Sequence, residues 1–332
     1  MKALVYTGPE GLEYLDVPDP YVAPDEQLIR ISHVGICGSD MHAYLGHDDR
    51  RPSPLILGHE VAGEIVGGPR HGERVTVNPL VTCGTCSACS DGRDNLCPER
   101  QIISMPPREG GFAELVAMPD SNLVTVPDDV PLTKAALAEP IACGWHAARL
   151  SLAALRGARD KALVLGGGAI GLGAALSLRA QGVGNVTIVE PNPTRRNYLA
   201  DQCGQTVVEQ PSSATQFDLV IDGVGYVATR MTASACVRPG GVIGHIGLGE
   251  NTGGLDVRRM TLQEITFIGT YTYTAEDFAQ TAQAIFDGRL GSLEWAEIRP
   301  LSQGAQAFSD IRQGVVAAPK ILLRPEITPE RT

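Results

Sequence analysis

The chain of 332 residues has no long apolar run. Its longest stretch without a charge, Ala162 to Leu178, falls short of the about 20 residues that span a bilayer. It also carries three consecutive glycines, so a strand, a turn and a helix explain it better than a membrane span. The opening MKALVYTGPEGLEYL lacks the apolar core of a secretory signal, being interrupted by Gly8, Pro9 and Gly11, and a cytoplasmic location is the expectation. Positive charge is scarce. Twenty-seven Lys and Arg against 38 Asp and Glu leave a formal net charge of −11, the sign of nucleic acid and of anionic lipid. Neither is expected as a partner, and a small molecule is. No short repeat is visible, so the 38 glycines imply tight turns rather than low complexity.

What is present begins with length: a chain of this size is expected to split into two domains. Up to about Leu137, short apolar and β-branched runs are broken by Gly, Pro and Asp, as at Gln27–Ser32, Val61–Val66, Arg74–Val77, Phe112–Ala117 and Asn122–Val126. That pattern predicts an all-β module. From Lys161 the pattern alternates between strand and helix: KALVL, a glycine turn, IGLGAALSLRAQ, then VTIVE. FDLVID follows as a buried strand, Thr229–Val237 as a helix, GVIGHIGL as a strand after the Pro239-Gly240-Gly241 turn, and Ala275–Asp287 as a helix. The fold class is therefore α/β, with a parallel sheet over about residues 141–294. KILLRP at Lys320–Pro325 reads as a strand returning to the first module, and the closing EITPERT as a frayed end.

Gly166-Gly167-Gly168-Ala169-Ile170-Gly171 satisfies G-x-G-x-x-G between a buried strand and an amphipathic helix, the context a dinucleotide requires. Gly166 allows the tight turn, Gly168 the approach of a pyrophosphate, and Gly171 the contact of helix with strand. Glu190 ends the next strand, where a carboxylate accepts from ribose hydroxyls and favours NAD. Arg195 and Arg196 lie close enough in sequence to keep NADP as the alternative. Val224, in Asp222-Gly223-Val224-Gly225, and Gly247-Leu248 follow later strands at their carboxyl ends and form candidate cofactor edges.

Half of the eight cysteines, Cys83, Cys86, Cys89 and Cys97, crowd into fifteen positions. Four thiolates on one loop close a tetrahedral shell with no open position, which predicts a structural zinc; disulfides and iron–sulfur ligation are the weaker readings. Cys143, Cys203 and Cys236 read as core residues. Cys37 in VGICGSDMH and His59-Glu60 in LILGHEVAGEIV supply a thiolate, an imidazole and a carboxylate, adequate for a catalytic zinc. Taken singly, a histidine after glycine such as His59 is more often a hydrogen-bonded structural residue than a ligand, and Cys37 alone reads as a core residue.

The set GICGSDMH, LGHEVAGEIV, the four-cysteine lobe, LAEPIACGWHA and LGGGAIGLGAA, in this order, resembles the zinc-containing medium-chain dehydrogenases, within them the sorbitol and threonine dehydrogenase-like branch. The resemblance extends over nearly the whole chain, including GGFAELVAMPD and KILLRP. It implies a GroES-like catalytic domain over residues 1–140 and 295–332, carrying the lobe at about 83–97, with a Rossmann domain at 141–294. It implies two zinc ions per subunit and NAD. Cys37, His59 and Glu60 match the catalytic zinc positions, and Glu139 of the AEP motif stands in or near the shell, sometimes through water. Ser39 matches the hydroxyl that takes the alcohol proton, His42 the outer end of the relay, and Asp40 an acid that supports the zinc site. One departure is Gly72-Glu73-Arg74-Val75, where the family usually has Asp in place of Glu73.

The implied reaction interconverts a secondary alcohol or polyol and its ketone by hydride transfer, the metal polarising the substrate oxygen. A reductase running mainly in reverse, a threonine 3-dehydrogenase-like activity and a non-catalytic NAD-sensing zinc protein are the alternatives; a zinc-free quinone reductase would lack Cys37, His59 and the lobe. Ser39, Tyr44, Phe112 and Trp145 are expected to line the substrate pocket. Arg50 and Arg51 read as a solvated loop, or as contacts to an anionic group. The strand ITFIGTYTY is apolar enough to pair across a subunit boundary, so a homodimer or homotetramer is expected.

Overall fold

The computed structural model describes residues 1–212 and 214–326, so EITPERT from Ile327 onward lies outside the described residues. The chain divides into two compact units, one made of Met1–Glu139 and the stretch from Ala296, the other of Pro140–Trp295. Among the described residues no helix is long and apolar enough to cross a membrane.

The first unit is built on a sheet in the order Leu123–Thr125, Arg74–Val77, Glu60–Val66, Glu26–Gly35, Lys320–Arg324 and Ala296–Pro300, with Leu115–Pro119 also hydrogen-bonded to Glu26–Gly35. All pairs are antiparallel except the last, where Ala296–Pro300 runs parallel to Lys320–Arg324. Glu26–Gly35 alternates inward Ile29 and Ile31 with less buried neighbours until its register shifts between Ile31 and His33. Beyond that irregularity Gly35 stands opposite Glu60. This brings the ends of the two strands that carry candidate ligands side by side. A separate ribbon, Leu80–Val81 with Gln101–Ile102, closes the base of the cysteine loop.

The second unit is a six-stranded, wholly parallel sheet in the order Thr206–Val208, Asn185–Val189, Lys161–Leu165, Phe217–Asp222, Val237–His245, Thr266–Gly269. Numbered within the unit this is 3-2-1-4-5-6, and strand order reverses beside Lys161–Leu165, where such sheets bind a dinucleotide. Phe217–Asp222 is buried along its whole length, as a strand covered on both faces must be. Among the boundaries that differ from the sequence reading, two in this sheet have a visible cause. Val237–His245 begins ahead of the Pro239-Gly240-Gly241 turn and accommodates it by a register shift against Phe217–Asp222. The ITFIGTYTY strand stops at Gly269, and Thr272, with φ of 46°, is in a left-handed conformation that no strand continues through.

Candidate active site

Cys37 precedes the helix Gly38–Tyr44, and Asp40 at its first turn accepts the Cys37 backbone N–H through Oδ2 at 2.9 Å. The other Asp40 oxygen accepts Gly58 N–H at 3.2 Å and lies 3.4 Å from His59 Nδ1. One buried carboxylate thus ties the Cys37 turn to the Gly58–His59 segment. Burial alone would raise the Asp40 pKa, but His59, Arg51 and the Cys37 N–H outweigh it and hold the carboxyl below its usual range. For His59 burial opposes the charged ring, yet Asp40 and Cys37 beside it carry the pKa well above the ordinary imidazole value.

The ligand atoms of Cys37, His59 and Glu60 lie within 4.8 Å of one another. Glu60 has no exposure, and its two oxygens differ: Oε1 accepts from Lys320 Nζ at 2.6 Å, while Oε2 is buried without a hydrogen-bond partner. Lys320 also donates to the Ile36 carbonyl at 2.7 Å. Gly35 makes this geometry possible, because a Cβ at that position would stand 1.8 Å from Glu60 Oε2. A thiol, an imidazole and an orphaned carboxylate oxygen are the donor set of a catalytic zinc. Glu139 is buried in the first turn of Ala138–Ala154 and adds to the field that raises the Lys320 pKa, but its oxygens are not in the three-ligand group. Ser39 is half-buried on the same short helix, and His42 is exposed near its last turn.

The four lobe cysteines are all free thiols, with Cys86–Cys89 and Cys83–Cys97 sulfurs 3.5 Å apart and Cys83–Cys89 at 4.0 Å. A zinc–sulfur bond of about 2.3 Å puts tetrahedral sulfurs about 3.8 Å apart, so these spacings are close to those of a zinc shell. The Cys83 thiol is lowered to about 6 by the N–H groups of Thr85 and Cys86, while burial and neighbouring thiols push Cys89 up to about 12. Among the other cysteines, Cys236 is buried, whereas Cys143 and Cys203 are partly exposed.

In the second unit Gly166, with φ of 97°, turns the chain out of Lys161–Leu165, and Gly168 caps Ala169–Ala180 with open space where a Cβ would stand. At Gly171 a Cβ would fall 1.8 Å from the Gly166 carbonyl oxygen. Ala169 and Ile170 form the first turn of the helix, presenting its N–H end to the loop. Glu190 is buried, accepting Gly167 N–H at 3.0 Å and Asn192 N–H at 2.8 Å, so the carboxylate is fixed beside the glycine loop. Arg195 begins the helix Pro193–Asp201 with its N–H on Asn192, and Arg196 is engaged by the carbonyls of Glu190 and Pro191. Asp222 Oδ1 accepts from Val224 and Gly225, against which Gly247 packs, and Leu248 is 80% exposed at that edge.

The expected pocket wall does not form as read. Tyr44 and Phe112 are core residues packed on Phe308, with ring centroids 5.2 and 5.9 Å away. Trp145 is buried too, donating to Gln280 and lying under the Arg289 guanidinium. Arg51 is neither solvated nor an anion receptor: it is 3% exposed and paired with Asp48 at 2.6 Å. Sequence reasoning missed Lys320, whose signal was a lysine heading the otherwise apolar ILL run, and Ser104, which carried no signal.

Two family models match the chain: the alcohol dehydrogenase GroES-like domain over residues 23–128 and the zinc-binding dehydrogenase over residues 169–287. The chain is 34% identical over 300 residues to sorbitol dehydrogenase of Bacillus subtilis, covering 82% of each protein. It is 32% identical over 309 residues to L-galactonate-5-dehydrogenase of Escherichia coli, covering 87% of this chain and 88% of that one. Among solved structures, an alcohol dehydrogenase from Escherichia coli CFT073 complexed with NADH superposes with a TM-score of 0.87 at 26% identity, over 98% of this chain and 99% of that one.

Proposed function

Because the chain belongs to the zinc-binding alcohol dehydrogenases with a GroES-like domain, in their sorbitol dehydrogenase-like branch, and is an oxidoreductase of alcohols or polyols, we propose that it interconverts a secondary alcohol or polyol and the ketone with NAD. The observation that carries the metal assignment is Glu60 Oε2, buried, unpartnered and grouped with Cys37 and His59. Cys37, His59 and Glu60 would hold a catalytic zinc, with Glu139 near it, and Cys83, Cys86, Cys89 and Cys97 a structural one. Bound there, the first zinc would supply Lewis acidity at the substrate oxygen and the nicotinamide would accept or donate the hydride. Ser39 would move the alcohol proton toward His42, whose ring is exposed to solvent. Glu190, fixed by Gly167 and Asn192, would accept from the adenosine ribose hydroxyls and repel a 2′-phosphate, which supports NAD over NADP. Gly166, Gly168, Ala169, Ile170 and Gly171 would cradle the pyrophosphate, with Arg195, Val224, Gly247 and Leu248 at its margins.

The test is metal analysis joined to a substrate screen. Two zinc ions per subunit are expected, falling to one in Cys37→Ser, with NAD reduction on some member of a panel of polyols, short secondary alcohols, sugar acids and threonine. One zinc in the wild-type protein and no turnover of any alcohol would sink the catalytic reading. Turnover with NADP alone would sink the role given to Glu190.

A further inference from the structure

Arg51 is hydrogen-bonded to segments that border the candidate metal site, although it is not one of the grouped ligand residues. Its Nη1 pairs with Asp48 Oδ2 at 2.6 Å, its Nε donates to the Ser104 carbonyl at 3.0 Å, and Nη1 also reaches the Ser39 carbonyl at 3.4 Å. Asp48 is itself largely buried, and its other oxygen is taken by Arg50 Nε at 2.8 Å. The guanidinium therefore bridges three segments: its own loop, the Ser39 turn, and the chain leaving the cysteine lobe. Ser104 matters because it is fully buried, holds a left-handed φ of 72°, and places its Oγ 3.4 Å from His59 Nδ1. A non-glycine residue stays in that conformation only when its surroundings hold it there, and the Arg51 hydrogen bond is one such hold.

We propose that Arg51, anchored by Asp48, is a positioning residue for the metal centre: by fixing Ser104 it orients the His59 ring together with Asp40. His59 Nδ1 has Ser104 Oγ and Asp40 Oδ1 each 3.4 Å away. With Nδ1 engaged, the other ring nitrogen is left to bind metal in one tautomer and one orientation. The same guanidinium holds the backbone of Ser39, so one cation orders both a ligand and the proton-accepting hydroxyl. This rests on Cys37, His59 and Glu60 holding a metal.

The experiment follows zinc leaving the native enzyme for the chromogenic chelator 4-(2-pyridylazo)resorcinol, with Cys37→Ser identifying which kinetic phase is the catalytic zinc. Arg51→Met and Ser104→Ala are expected to release that zinc about 10-fold faster, with the lobe zinc released at the wild-type rate. Cobalt placed in the catalytic site should show a shifted ligand-field band in both variants. Arg51→Lys keeps the charge but not the fork and is expected to fall between wild type and Arg51→Met. Unchanged release and an unchanged cobalt spectrum would overturn the proposal, as would equal acceleration of both zincs with a matching fall in Tm. Should Arg51→Met fail to fold, Ser104→Ala loses only a hydroxyl and decides the matter. A wild-type protein that carries zinc in the lobe alone would overturn the metal reading as well, and its stoichiometry separates that failure from the others.

Discussion

Lys320 is the residue whose removal should be felt most strongly. Its ammonium is buried with Glu60 at 2.6 Å, and although burial alone would lower its pKa, the Glu60, Cys37 and Glu139 charges outweigh that and raise it. Taking away one partner of such a pair leaves an uncompensated buried charge, at a cost of about 3–5 kcal/mol. Lys320→Met is therefore expected to lower the Tm of the zinc-free protein markedly and that of the zinc-loaded protein less, since the metal would then neutralise Glu60. Adding Glu60→Gln to Lys320→Met should restore part of the loss in the zinc-free form; equal losses in both forms by scanning calorimetry would contradict this. Cys37, His59 and Glu60 were legible because two short motifs carry them. Lys320 was not, because its partner is 260 residues away and a lysine at a strand end is ordinarily solvated. Arg51 was misread for the same reason, its carbonyl partners at Ser39 and Ser104 being invisible to local pattern.

Among the elements, the glycine loop permits a separation of packing from binding. Gly168 has open space where a methyl group would stand, whereas at Gly171 it would overlap the Gly166 carbonyl. Gly168→Ala is expected to weaken NAD binding, followed by fluorescence titration, with little change in Tm; Gly171→Ala should lower both. A second element-scale prediction concerns the helix Ala275–Phe286, capped by Thr274 and Asp277 in a reciprocal box. Burial opposes the Asp277 charge, but Arg149, His146 and Thr274 prevail and hold the carboxyl far below its ordinary pKa. A depressed pKa contributes stability that is complete above the usual aspartate range, about 3.9, and is lost as pH falls below it. Asp277→Asn should accordingly flatten the acid limb of a Tm-against-pH curve, and an unchanged limb would refute the assignment. Short strand-like runs bounded by turn residues, such as Arg74–Val77 and Phe217–Asp222, were legible to the residue. The fate of Tyr44 and Phe112 was not, because aromatics near a motif look alike whether they face a pocket or pack, as here, on Phe308.

At the scale of the whole molecule, the change from broken β runs to alternating strand and helix near Lys161 was plain in the sequence, whereas strand order was not, since non-neighbouring segments choose partners by packing. Thr266–Gly269 borders its sheet and, among the described residues, pairs on one side only. Leu262 and Val257, before it in the chain, are 72% and 67% exposed. We propose that this border meets a second copy of the chain, and sedimentation should find a dimer or tetramer that Ile268→Lys shifts toward smaller species.

The first unit draws on both early and late chain, and Lys320 with its strand is the late part. At about 5–20 residues per second, a ribosome that has delivered Glu60 needs on the order of tens of seconds to reach Lys320. During that interval the nascent carboxylate has no resident counter-charge, and a stray cation can take the position the lysine will later occupy. On the proposal that Cys37, His59 and Glu60 hold zinc, loading would follow the order of synthesis: zinc acquired early would meet both Glu60 oxygens, whereas zinc acquired after Lys320 has docked would meet only Oε2. Depriving cells of zinc during translation and restoring it afterwards should accordingly yield a more uniformly loaded enzyme than the reverse order.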